Sequence, residues 1–229
     1  MSGVFKPRMD ILPLSQRQLW PELRSTDKLG FVLYGGTAIA LRLVHRQSVD
    51  FDFFSDKPLD RTALQAVFPF MAKSIVVQDQ ENSLSVLVPY GDSEHENVKV
   101  AFFGSTSFGR TAEPDFTEDG VLQLASLDDL MATKTKVILQ RVEAKDYRDL
   151  AAMINAGVSL SRGLAAARVM YGLNFQPSES LKAMVYFEGG DLHTLTKKEK
   201  SIILKAVSEV RDLPHVEIVS HQLTAVGVS

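Results

Sequence analysis

The chain has 229 residues, a net charge of −3 and no cysteine, with hydrophobic and charged fractions of 45% and 23% that place it among ordinary globular proteins. The missing cysteines exclude disulfides, thiolate metal sites and cysteine nucleophiles, and the slight acidity gives no whole-protein argument for tight nucleic-acid binding, although a local basic patch stays open. The N-terminal stretch lacks the apolar segment of a signal peptide, and no run approaches the roughly 20 apolar residues of a membrane helix, so the expectation is a soluble, cytoplasmic protein with no membrane partner.

Residues 1–14 read as an irregular lead-in, after which Ser15 caps an expected helix through Arg24. The short apolar run 31–34 reads as a buried strand, broken by Gly35-Gly36, and 37–46 has helical spacing with Ile39, Ala40 and Leu43 turned inward. A second strand is expected over 49–54 and a helix over 60–68 with Asp60 as its cap. Strands follow at 74–78, 83–89 and 97–103, with a turn at Asn82 and a polar loop at 91–97. From Ser126 onward the pattern is almost wholly helical, at 126–141, 145–156, 160–171, 178–187 and 197–210. Mixed strands and helices followed by an all-helical half indicate α+β. The Gly-, Ser- and Pro-bearing stretch 105–125 marks the boundary, giving an α/β head over 1–120 and a helical domain over 121–229.

Two features of the head carry chemistry. A strand that ends in Gly35-Gly36 and feeds a helix leaves backbone N–H groups at the helix start, which with the helix dipole favour an anion. Glycine lets a phosphate approach closely, and the Thr37 hydroxyl is a further donor; the alternative is a turn in which glycine serves only the backbone angle. Asp50 and Asp52 lie two apart on the expected strand, so both leave the same face while Phe51 and Phe53 point into the core. Adjacent carboxylates repel, and magnesium, which takes hard oxygens from carboxylates, phosphates and water, is the natural compensating cation. The alternative is an acidic solvated edge strand, which the apolar neighbours of the pair make uncomfortable.

The stretch GGTxxxLRxxHRxSxDxDFF, residues 35–54, resembles the nucleotidyltransferase family of AbiEii/AbiGii toxins within the polymerase-beta-like superfamily. NVKVAFF (97–103), GVLQLASLDDLMATKTKVILQR (120–141), KDYRDL (145–150) and LKAMVYFEGGD (181–191) are similar to later blocks of that family in the same order, so the resemblance spans residues 30–191. It implies a nucleotidyltransferase-like mixed sheet with flanking helices, followed by the helical half. It also implies that Gly35, Gly36 and Thr37 hold triphosphate and that Asp50 and Asp52 hold Mg2+. Arg46 and Ser48 match the family's Arg-x-Ser; the serine would brace the turn, and the arginine would either neutralise phosphate or stand as a plain surface charge.

On the expected helix 126–141, Lys134 and Arg141 fall on the apolar stripe with Leu127, Leu130, Met131, Val137 and Ile138. Charges there need partners, a polar cleft, or stems long enough to snorkel to water. The resemblance makes Lys134 a candidate catalytic or phosphate-binding lysine and Arg141 a candidate nucleotide contact, with the helical half forming the second wall of the cleft. Asp146 suits a helix cap, whereas Asp149 either forms an inward salt bridge with Lys134 or Arg141 or acts as a base on the acceptor.

The pattern departs from the superfamily at Ala101, where a third carboxylate is common; Glu94 and Glu96 lie nearby in or beside the loop. A missing ligand or base weakens activation of the acceptor. His45, His193, His215 and His221 show no metal-ligand spacing. The resulting expectation is a magnesium-dependent nucleotidyltransferase that moves NMP from an NTP to an acceptor hydroxyl, on a tRNA end or a protein side chain. The resemblance makes it the toxin of a toxin–antitoxin or abortive-infection system with a cognate antitoxin. A catalytically degenerate binding protein of the same fold and an antibiotic-modifying nucleotidyltransferase are the alternatives.

Overall fold

Contacts along the chain divide it into two compact units: Met1–Gly109 with Glu113–Ala125 and Ser220–Ser229, and Arg110–Ala112 with Ser126–Val219. The computed structural model describes residues 2–90 and 97–225; the expected loop 91–97 therefore lies outside the described residues up to Glu96, and Glu94 and Glu96 with it. The head expected to end at residue 120 continues through Gln123–Leu124, a strand of the first unit's sheet.

In chain order the first unit contains β1 (Val4–Phe5), α1 (Leu14–Leu19), β2 (Val32–Tyr34), α2 (Gly35–Leu43), β3 (Asp50–Phe54), α3 (Arg61–Val67), β4 (Ile75–Gln80), β5 (Ser83–Pro89), β6 (Asn97–Phe103), β7 (Asp115–Thr117) and β8 (Gln123–Leu124). Among the described residues these strands form one eight-stranded mixed sheet, ordered β1-β7-β8-β2-β3-β6-β5-β4. The longer strands match the expected runs. β1, β7 and β8 were not anticipated, because two or three residues are too few to show alternation; only their partners define them. The helix expected through Arg24 ends at Leu19, since Pro21 has no N–H to continue the ladder, and Trp20–Leu23 forms a 3-10 turn.

The central pair β2–β3 is antiparallel, with Tyr34 opposite Asp52, and β3 runs parallel to β6, with Asp52 opposite Ala101. Alternation sends Phe51 and Phe53 into a fully buried face, where Phe53 stacks on Phe102 at 5.5 Å and Phe51 meets Trp20 at 6.3 Å. α2 is apolar on nearly every side, and Ala38 to Leu41 are completely buried. It stops at Leu43, three residues before the expected end, because Val44 adopts a left-handed conformation (φ 54°) that closes the helix. Arg42 anchors this helix to the sheet's other half, pairing with Asp115 at 2.9 Å and donating to the Ala125 carbonyl at 2.9 Å.

The second unit holds α4 (Leu127–Val137), α5 (Ala144–Asn155), α6 (Leu160–Tyr171), α7 (Pro177–Val185) and α8 (Lys197–Glu209). Ser126 caps α4 by accepting from the Asp129 amide (3.1 Å), and Asp129 accepts from the Thr111 amide (2.9 Å) and hydroxyl (2.6 Å). α4 ends at Val137 instead of 141, so Arg141 belongs to the turn before α5. α4 and α6 pack closely because Gly163 has no side chain: a β-carbon there would collide with Met131. Thr196 and Glu199 form a reciprocal capping box on α8. Among the described residues no helix is long and apolar enough to cross a membrane.

Candidate active site

β2 delivers the chain into α2 at Gly35, whose φ of +74° lies in the region that glycine adopts without strain. The amides of the first turn have no intrahelical acceptor, and the cap residue Tyr34 gives them no side-chain bond. The turn is closely lined. A β-carbon on Gly35 would come within 2.5 Å of the Asp52 carboxylate, and one on Gly36 would strike the Arg46 guanidinium and approach the Ser48 hydroxyl at 3.0 Å. Gly35, Gly36, Arg46, Ser48 and Asp52 are thus brought together around one helix start.

Thr37 differs from expectation. It is 1% exposed, and its hydroxyl bonds the Asp50 carbonyl and the Ser48 hydroxyl (2.9 Å) instead of facing an anion. It ties α2 to the beginning of β3, which sets the distance between the glycine turn and the carboxylates. Ser48, 8% exposed, braces the same junction.

Asp50 and Asp52 are half-buried and alternate with the buried phenylalanines, so both carboxylates occupy the face opposite the core. Two hard oxygen donors suit magnesium, which commonly uses one or two carboxylates and completes its shell with phosphate and water. Among the described residues no group of three or more acidic or histidine side chains is placed to hold a metal. The register explains why: the β6 residue beside Asp52 is Ala101, 1% exposed, and the one beside Asp50 is Lys99. Lys99 was missed from sequence. Its alternation with Ala101 and Phe103 was legible, but its position next to Asp50 depends on a strand pairing between distant segments.

Within the helical unit, Lys134, Arg141, Asp146 and Asp149 form one network. The Lys134 ammonium contacts Asp146 at 2.7 Å and Asp149 at 2.6 Å, and all three side chains are buried. Arg141, 44% exposed at its side chain, reaches Asp146 at 2.8 Å. Lys134 therefore does not snorkel to water, and Asp146, expected as a cap, is the shared acceptor of two cations. Burial pushes the Asp146 carboxyl up, but Arg141 and Lys134 outweigh it and hold it below the usual range.

Similarity to known proteins agrees with this architecture. Residues 19–214 match the family described as nucleotidyl transferase AbiEii toxin, type IV TA system. The chain is 28% identical over 161 residues to the uncharacterized protein aq_aa25 of Aquifex aeolicus (strain VF5), covering 69% of this chain and 74% of that one. Its fold is similar to that of MenT4, a nucleotidyltransferase toxin from Mycobacterium tuberculosis H37Rv, with a TM-score of 0.56 at 12% identity, over 83% of this chain and 81% of the other. With its mixed sheet, its glycine turn and a family match across most of its length, the chain belongs to the AbiEii nucleotidyltransferase toxin family of type IV toxin–antitoxin systems.

Proposed function

We propose that the first unit binds a nucleoside triphosphate and transfers NMP to an acceptor hydroxyl, with pyrophosphate leaving. The observation that carries this reading is the convergence of Asp52, Arg46 and the Gly35-Gly36 turn at one helix start. The first-turn amides and Arg46 receive the phosphate tail. Asp50 and Asp52 hold magnesium, which when bound neutralises phosphoryl oxygens as charge shifts to the leaving group. Lys99, in register with Asp50, adds a cation on the same face. Rate comes from positioning and from charge neutralisation already in place. The acceptor is a tRNA end or a protein side chain, and membership in a toxin–antitoxin family implies a cognate antitoxin.

A test is transfer of label from α-labelled NTPs to total RNA or to extract protein. Asp52→Ala should lower transfer about 100- to 1000-fold, by analogy with the loss of one charge-stabilising group, and should relieve growth inhibition, with folding checked by thermal melting. Undiminished transfer by Asp52→Ala would refute the assignment. Ala101 beside Asp52 motivates a second reading, nucleotide binding without chemistry; tight binding of NTP with no labelled product for the wild type would favour it.

A further inference from the structure

Beyond the phosphate and metal groups, the carboxylate face of the sheet carries an aromatic cluster that the proposed chemistry does not use. Phe54 follows Asp52 by two residues on β3, and Phe103 follows Ala101 by two on β6, so both leave the same face as the carboxylates. The register sets Phe54 beside Phe103, and their rings stack at 4.7 Å. Phe108, from the segment after β6, lies 6.0 Å from Phe54, and Tyr34 meets both Phe54 (5.2 Å) and Phe108 (5.8 Å) edge-on. These rings differ from the core aromatics on the opposite face. Phe51, Phe53, Phe68, Phe70 and Phe102 are completely buried, whereas Phe54, Phe103 and Phe108 each keep part of their surface exposed.

We propose that Phe54, Phe103 and Phe108 form a stacking platform for the nucleobase of the bound triphosphate. This rests on the nucleotide reading above and deepens it. Order along β3 supports it: Asp50 and Asp52, the latter against the Gly35 turn, are followed on the same face by Phe54 and its neighbouring rings. Asp52 and Phe54 are about 7 Å apart along the strand, the span a ribose places between an α-phosphate and its base. Aromatic faces bind any base through its π-surface, with no need for hydrogen-bond readout.

Calorimetric titration with magnesium and either ATP or inorganic tripolyphosphate separates the platform from the phosphate site. Phe103→Leu should weaken ATP binding roughly 5- to 100-fold, the usual range for losing one base–aromatic stack, and leave tripolyphosphate binding within about twofold. Phe103→Trp should restore ATP binding. Phe108→Leu, outside any strand, is the second variant should Phe103→Leu melt early, and it should show the same split. Equal losses for both ligands, or no loss for ATP, would overturn the platform while leaving the phosphate site intact. Failure of the wild type to bind either ligand would overturn the nucleotide reading, and the platform with it.

Discussion

Gly35 shows how one residue couples backbone geometry to the site. Its positive φ is a conformation that an L side chain adopts at a cost of about 1–2 kcal/mol, and its missing β-carbon is what lets Asp52 approach the turn. Gly35→Ala should therefore lower stability by roughly that amount and displace Asp52. Transfer should fall more than tenfold in protein that thermal melting shows to be folded; a folded variant with full activity would show that the Asp52 position is not critical. Thr37 teaches the complementary point. Its residue type suggested a phosphate donor, yet a hydroxyl buried in the first turn of α2 finds the Asp50 carbonyl first. The alternation of Asp50, Phe51, Asp52 and Phe53 was legible because strand period alone sorts the two faces. Lys99 was not legible, because its place depends on pairing between β3 and β6.

Between elements, the ion network of α4 and α5 determines what Lys134 can be. A buried ammonium between two buried carboxylates joins the two helices, and removing one partner of such a set costs about 3–5 kcal/mol because the remaining charges stay buried. Lys134→Met should lose that much in urea titration. If the lysine also serves transfer, kcat will fall under conditions where the variant is fully folded; unchanged kcat assigns it to structure alone. Sequence periodicity placed Lys134 inward correctly but extended the helix through Arg141. The break at Val137 carries no Gly or Pro and follows from the tertiary turn that brings Arg141 to Asp146.

For the whole molecule, two buried carboxyls give stability opposing pH dependences. Burial, resisted by hydrogen bonds from Thr111 and Ser126, raises the Asp129 carboxyl above its ordinary range. Its contribution is full below the unfolded value of about 4 and is lost as pH rises through the raised folded value. Asp146 is shifted down, so its contribution is present above about 4 and is lost as pH falls through the lowered folded value. Guanidinium midpoints across the acid-to-neutral range should pass through a maximum. Asp146→Asn should flatten the acid limb and Asp129→Asn the limb above it; an acid limb unchanged in Asp146→Asn would show that other carboxylates produce it.

At this scale, sequence alone determined the mixed head and helical half, the principal strands, the glycine turn, the carboxylate pair and the family. Each of these is encoded locally, by period, by turn residues or by motif order, and survives without knowledge of distant partners. Tertiary structure decided the rest. It recruited Gln123–Leu124 and two other short segments into the sheet, buried Thr37, and placed Lys99 and Ala101 beside the aspartates. It also enclosed Lys134 between Asp146 and Asp149. The physical reason is common to all of these: strand register and ion pairing are contacts between residues far apart in the chain, and a local pattern states which face a side chain takes but not what it will meet there.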